Sequence, residues 1–246
     1  MSTQVSQTTF LVRLKNRFLV AERTMAFQFE KPSDFTFKPG QWIDITLLNP
    51  AQTDAKGNVR GFSIASAPHE DILMVATRLR DTAFKRELAT MPLNTEVKIE
   101  GPGGNLVLHN NAARTAVFLA GGIGVTPIRS ILLGAAKEKL PHRIYFFFSN
   151  RRPEDAPFLE ELQALQQQNP NYTFIATMTQ MATSRREWTG QTGYINKDML
   201  AKYVRDAKSP IYYVVGPPGM VKGLQMMLNV TGIDDDDIRT DEFGGY

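Results

Sequence analysis

Arg60-Gly61-Phe62-Ser63 places a permanent cation, an aromatic face and a hydroxyl within one strand-length stretch. At strand period, Arg60 and Phe62 point to one side and Gly61 and Ser63 to the other. A guanidinium offers a planar fork matched to phosphate, and a ring offers a flat surface to a heterocycle. The same pattern also reads as an edge-strand arginine beside a core phenylalanine. The second stretch is Ala116 to Leu132, AVFLAGGIGVTPIRSIL. An apolar run too short for a helix is followed by Gly121, Gly122 and Gly124, which leave room for backbone to approach a ligand. Pro127 then suits the first turn of a helix, where its missing N–H has no partner to lose. A helix opening at a strand end presents free N–H groups and a partial positive charge, which suits a phosphate or pyrophosphate. Gly122-x-Gly124-x-x-Pro127 is a relative of the dinucleotide fingerprint, with proline in the third glycine's place.

Both stretches need elements to position them. From Phe10 to about Leu108 the pattern is one of short strands. Met25, Phe27 and Phe29 alternate with polar residues, Trp42 to Leu47 follows a turn at Pro39-Gly40, and Phe62 to Ala65, Ile72 to Thr77 and Glu96 to Ile99 add further runs. One helical patch, Thr82 to Ala89, interrupts them. This predicts a closed or nearly closed antiparallel β-barrel. After His109-Asn110-Asn111, read as a linker, strand-like runs alternate with helical ones: Arg143 to Ser149, a helix carrying Phe158, Leu159, Leu162 and Leu165, then Tyr172 to Thr177 and Asn196 to Val204. Ile211 to Val215, a helix with Val221, Leu224 and Leu228, and a last strand from Ile238 to Phe243 complete the series. The chain therefore divides into a β-barrel domain, residues 1–110, and an α/β domain with a parallel sheet, residues 111–246. Ligands of such sheets bind outside the carboxyl ends of the strands, and a cleft between domains is a favoured site.

Composition narrows the chemistry. There are no cysteines, which excludes a structural disulfide, a cysteine-ligated zinc and a thiolate-held iron–sulfur cluster. His69, His109 and His142 lack metal-ligand spacing, so no metal site is expected. The net charge of +3 is modest and the basic pairs are scattered, which argues against nucleic acid and suits an acidic protein partner. No stretch is long and apolar enough for membrane insertion, and the polar start MSTQVSQTT lacks the regions of a signal peptide, so a cytoplasmic protein is expected. Asp234 to Asp237 reads as a solvated loop.

Taken together, the motifs resemble those of the ferredoxin–NADP(+) reductase superfamily, the two-domain flavoprotein reductases, over nearly the whole chain. Phe37-Lys38-Pro39-Gly40-Gln41 is similar to the family's turn before a barrel strand, Arg60-Gly61-Phe62-Ser63 to its Arg-x-Tyr-Ser and Gly101-Pro102-Gly103-Gly104 to its Gly-Pro-x-Gly. Gly121 to Pro127 resembles its dinucleotide loop, Val215 to Met220 its Cys-Gly-Pro-Pro-x-Met, and Glu242-Phe243 its C-terminal acid and aromatic. The resemblance implies a ferredoxin reductase-like fold with FAD on the barrel and NAD(P)H on the α/β domain. Arg60 would then pair with the flavin's pyrophosphate, Phe62 lie against its ring and Ser63 bond near the atom that takes hydride. Gly61, Ile64, Thr77, Arg78, Gly101, Gly103 and Gly104 belong to the same flavin-side set. Gly122, Gly124, Thr126 and Pro127 would hold the dinucleotide pyrophosphate, and Gly216 and Pro217 would flank the nicotinamide. Glu242 would relay a proton, and Phe243 or Tyr246 would cover the flavin.

Three departures from the pattern bear on function. Val215 replaces the cysteine beside the nicotinamide. Thr82 and Lys85 replace the glycine and the hydroxyl residue of a phosphate-binding helix start, with Lys85 adding charge. The chain ends in two aromatics where the pattern has one. Arginines at the tip of the second α/β strand, Arg151 and Arg152, with Arg185 and Arg186, tilt the donor toward NADPH. The expected function is hydride transfer from NAD(P)H to FAD and onward to an acidic carrier such as ferredoxin or flavodoxin. The alternatives are an NAD(P)H:flavin or quinone reductase, and a nucleotide-binding module without turnover.

Overall fold

The structure, a computed structural model, describes residues 8–205, 207 and 209–244. Strands β1 (Thr8–Ala21), β2 (Thr24–Glu30), β3 (Trp42–Leu47), β4 (Val59–Ser63), β5 (Ile72–Arg78) and β6 (Glu96–Gly103) form an antiparallel sheet in the order β4-β3-β6-β1-β2-β5. The sheet curls because its apolar residues face one interior: Phe27 and Phe29 of β2, Ile43 and Ile45 of β3, and Val97 and Ile99 of β6 are fully buried. Each such side chain contributes about 1.5–3 kcal/mol through burial. Ala65 N–H donates to Met74 O at 2.7 Å just beyond β4, which draws the edge strands β4 and β5 together into the nearly closed barrel that the strand pattern predicts.

Within the barrel the sequence misplaces one strand. The expected run Phe62 to Ala65 is instead β4, Val59–Ser63: Ile64 N–H still donates to Gln41 O at 2.9 Å, next in register to Trp42 and Ser63, and the pairing with β3 ends where Ala65 N–H turns to Met74 O. Helix α1 (Ala83–Thr90) begins where expected, with Thr82 as its cap accepting from Lys85 N–H at 3.4 Å.

The second half is a parallel sheet of β7 (Ala116–Gly121), β8 (Ile144–Asn150), β9 (Tyr172–Met178), β10 (Gln191–Thr192), β11 (Ile211–Gly216) and β12 (Ile238–Glu242), ordered β10-β9-β8-β7-β11-β12. Its strands are continuously apolar because both faces are covered. Phe118 and Ala120 of β7 pack with α2 (Val125–Lys137) and α3 (Leu159–Ala164) on one face. Val117 and Leu119 pack with α4 (Lys197–Val204) and α5 (Pro218–Val230) on the other. The stretch read as a linker is anchored: His109 is buried, its backbone N–H donates to Tyr213 Oη at 2.9 Å, and its carbonyl meets His142 Nε2 at 2.8 Å. Asp235–Asp237 forms a short 3₁₀ turn into β12.

Candidate active site

Where the barrel meets the carboxyl ends of the parallel strands, two cavities open side by side. The barrel cavity, about 720 Å³, takes its walls from β4, the end of β5, the start of α1 and the segment after β12. Of the residues singled out from sequence, Arg60, Gly61, Phe62, Ser63, Thr77, Arg78, Lys85, Thr126, Glu242 and Phe243 line it. Arg60 and Phe62 share a side of β4 as its period predicts: the Arg60 guanidinium lies 5.1 Å from the centroid of Phe84, and the Phe62 ring 5.9 Å from the same ring. Phe62 is at once a member of the barrel core and part of the cavity wall.

Charge in this cavity is strongly positive. Lys85 Nζ donates to Arg78 O at 2.9 Å. Burial, with Arg80, Arg60 and Arg78 close by, lowers Lys85 to about 8. Arg60 is held by the loop before β4: it donates to Asp54 Oδ1 at 2.9 Å and to the carbonyls of Lys56, Gly57 and Val59 at 2.8, 3.0 and 2.6 Å. A half-buried ammonium ringed by guanidinium groups is a donor set that fits a phosphate-bearing flavin.

The α/β cavity, about 950 Å³, is built on the turn after β7, the tip of β8 and the start of α5. Gly122, Arg151 and Pro217 line it, and Ile123, Arg78 and Arg80 line both cavities, so the two sites share one wall. The glycines of the β7 turn divide their tasks. Gly122 adopts φ +54°, a left-handed conformation, on the cavity wall. Gly124 faces the other way: a Cβ there would meet Val215 O at 2.5 Å, so this glycine serves close packing of α2 on β11. Asn150, at the tip of β8, is buried on the wall with its Nδ2 lacking any hydrogen-bond partner. An orphaned donor of this kind fits a polar ligand.

Other sequence candidates lie elsewhere. Thr126 lines the barrel cavity and not the dinucleotide cavity, its Oγ1 donating to Ile123 O at 3.0 Å. Pro127 and Ile64 are buried in the structure around them and line neither cavity. Gly101, Gly103 and Gly104 line neither as well; the last two lie against the Trp42 indole, and Gly104 belongs to a third cavity with Trp42 and Asp241. Gly216 accepts from Phe243 N–H at 3.0 Å, which ties the segment after β12 to the β11 turn. Val215 is fully buried between the sheet and α2, and lines neither cavity. Tyr246 lies outside the described residues. Arg80, Ile123, Asn150 and Asp155 were not singled out from sequence; the pairing of Arg80 with Arg78 on one strand end was the one available signal for them.

The domains are held in register by α2, which follows the glycine turn. Arg129, with a side chain only 6% exposed, reaches across to the barrel: Nη1 donates to Ala65 O at 2.7 Å and to Glu70 Oε2 at 3.0 Å, while Nη2 and Nε donate to Glu161 at 2.6 and 2.8 Å. Its guanidinium also lies over the Phe158 ring at 5.1 Å. Ser130 Oγ donates to Ser66 O at 2.7 Å. Three of the arginines that pointed to a 2′-phosphate are engaged otherwise: Arg152 with Asp155 and Glu22, Arg185 with Glu22, and Arg186 with Glu160.

An antiparallel barrel sharing a cleft with a parallel α/β sheet is the ferredoxin reductase-like architecture. Residues 118–226 match the oxidoreductase NAD-binding domain family. The whole chain is 28% identical over 232 residues to one subunit of the Na(+)-translocating NADH-quinone reductase of Klebsiella pneumoniae, covering 88% of this chain and 56% of that protein. The chain thus spans little more than half the length of this curated relative. Among solved structures, the flavohem-like FAD/NAD binding domain of nitric oxide dioxygenase from Vibrio cholerae superposes with a TM-score of 0.80 at 18% identity, covering 96% of this chain and 98% of that one. Ferredoxin-NADP+ reductase from Plasmodium falciparum gives 0.75 at 14% identity, with coverage of 96% and 97%.

Proposed function

We propose that the chain is an NAD(P)H-dependent flavoprotein reductase, with FAD in the barrel cavity and the nicotinamide dinucleotide in the α/β cavity. The observation that carries this reading is the wall common to both cavities at Ile123, Arg78 and Arg80. Two ligands seated on either side of it would be neighbours, and positioning is most of what such a protein supplies. When bound, the flavin supplies the redox chemistry, accepting hydride from the nicotinamide. Arg60 and Lys85 would hold its phosphates and Phe62 its ring. Ser63 would donate a hydrogen bond at the reacting end, and Glu242 would hold or release a proton there. Gly122, in the turn between β7 and α2, would take the dinucleotide pyrophosphate, and Pro217 would flank its nicotinamide. Carboxylates engage Arg152, Arg185 and Arg186, which supports NADH as donor, while Arg151 on the cavity wall is the arginine that would favour NADPH.

For the acceptor, the cationic rim formed by Lys56, Arg80 and Arg78 supports an acidic carrier such as ferredoxin or flavodoxin. The name of the NADH-quinone reductase relative supports a quinone-linked acceptor instead. No helix among the described residues is long and apolar enough to cross a membrane, and a cytoplasmic protein is the simplest setting. Released flavin identified by chromatography, then reduction rates with a ferredoxin, a flavodoxin and a short-chain quinone, test the assignment. FAD release with fast carrier reduction supports the first acceptor, and selective quinone reduction the second. Nucleotide binding without flavin binding leaves the module without turnover.

A further inference from the structure

The α/β cavity reaches the tip of β8, the position at which sheets of this kind read the 2′ position of a nucleotide's adenosine. Asn150, Arg151 and Asp155 line it there, and so do Arg23 and Thr24, from the hairpin joining β1 to β2 in the barrel. That hairpin also carries Glu22, whose backbone N–H donates to Glu154 O at 2.7 Å across the domain boundary. The Glu22 carboxylate then splits its two oxygens: Oε2 takes Arg152 Nη2 at 2.6 Å and Oε1 takes Arg185 Nη2 at 2.6 Å. Asp155 holds the remaining edge of Arg152 through Nε at 2.8 Å and Nη2 at 3.0 Å. Glu154 accepts the Arg185 backbone N–H at 2.6 Å and the Ser184 hydroxyl at 2.9 Å, which fixes the segment that carries Arg185.

Resting on the reading of this cavity as the nicotinamide-dinucleotide site, we propose that Glu22 is a specificity-determining positioning residue, which holds Arg152 and Arg185 away from the adenosine 2′ position. The site then favours a dinucleotide with a free 2′-hydroxyl. A 2′-phosphate is a dianion that binds well only to cations with uncommitted N–H donors. Here Arg152 and Arg185, beside the cavity, are neutralised, which leaves Arg23 and Arg151 as the cations at this end of the wall without an ion pair among the described residues, and the carboxylates Glu22 and Asp155 would oppose the phosphate. A 2′-hydroxyl needs only one donor and one acceptor, and the partnerless Asn150 amide and the Asp155 carboxylate offer both. Specificity of this kind works by rejecting the wrong ligand as much as by binding the right one. The residue responsible belongs to the other domain, so donor choice and domain docking are coupled.

The test is binding of two probes without nicotinamide, 5′-AMP and adenosine 2′,5′-bisphosphate, followed by calorimetry on the full chain. The wild type is expected to bind the bisphosphate no tighter than AMP. Glu22→Gln keeps the shape and removes the charge, and should tighten the bisphosphate about tenfold while leaving AMP unchanged. Adding Arg185→Ala to Glu22→Gln should abolish part of that gain, which a general loosening of the hairpin would not do. A wild type that already prefers the bisphosphate, or a Glu22→Gln variant with an unchanged ratio, overturns the proposal and leaves the cavity assignment standing. Binding of neither probe to any of the proteins overturns the cavity assignment, and this proposal with it.

Discussion

The two cavities share a wall but hold their cations differently. In the barrel cavity Arg60 is paired with Asp54, while Lys85, Arg78 and Arg80 form no ion pair among the described residues, and burial with these arginines close by lowers Lys85 to about 8. Beside the far end of the α/β cavity, Arg152 and Arg185 are matched by Glu22 and Asp155, with Arg23 and Arg151 left unpaired on its wall among the described residues. A site whose positive charge is left unbalanced demands an anion, whereas a balanced one does not. The contrast favours tightly bound phosphates on the barrel side and, on the α/β side, a ligand held by glycine backbone and polar side chains.

The connection between the cavities should be the most costly to break. Arg129→Ala leaves Ala65 O and the part-exposed Glu70 and Glu161 without their shared cation, and a loss of about 1–3 kcal/mol of stability is expected in denaturant unfolding. In the fraction that folds, flavin reduction should slow far more than either ligand's binding weakens, because only the register of the cavities has changed. Equal losses of binding and reduction would assign Arg129 a purely local role.

Next in size is the barrel side. Arg60→Ala removes a charge-assisted contact worth about 1.5–3 kcal/mol, so flavin occupancy should fall by roughly 10- to 100-fold in affinity while circular dichroism is unchanged. Full flavin retention would remove Arg60 from the site. Ser63→Ala should slow reduction about tenfold, as expected of one lost donor near a reacting atom, with flavin still bound. An unchanged stopped-flow rate would leave Ser63 a wall residue.

The smallest effect is set by pH. Lys85 is charged below about 8 and neutral above it, so affinity for a flavin phosphate should fall as pH rises through that value, by a few-fold, and Lys85→Met should flatten the profile. Stability of the flavin-free protein runs the other way. The folded pKa lies below the ordinary 10.5, the unfolded chain binds more protons between the two values, and unfolding free energy should therefore rise with pH across that window. A flat titration of flavin affinity from pH 7 to 9 would place Lys85 away from the phosphates.

What the sequence disclosed follows the reach of its signals. The β7 turn and α2 were legible because an apolar run, three glycines and a helix-starting proline sit within a dozen residues, and their local chemistry is their structural role. β4 was legible in type but was misplaced by a few residues, since the switch of Ala65 N–H from β3 to Met74 O on β5 is a tertiary contact. The full length of β1 escaped because its alternation, with Val12 and Leu14 buried, stops after Lys15, and β10 escaped because it has only two residues. Among candidate site residues, the Arg60 stretch reached the cavity because a strand carries its own period. Of the two arginines after β8, Arg151 reaches the cavity wall, whereas Arg152 is neutralised by Asp155 and by a glutamate 130 residues earlier, on a different domain, which the sequence does not reveal. Glycine motifs were ambiguous for a similar reason: Gly122 faces the cavity, while Gly103 and Gly104 serve the Trp42 indole.

The most direct measurement is a visible spectrum of the purified protein, followed by anaerobic addition of NADH and, separately, NADPH. The account predicts a yellow protein that bleaches, with NADH the faster donor. A colourless protein that neither takes up added FAD nor changes on addition of either nucleotide would contradict the claim that the shared wall joins a flavin site to a nicotinamide site.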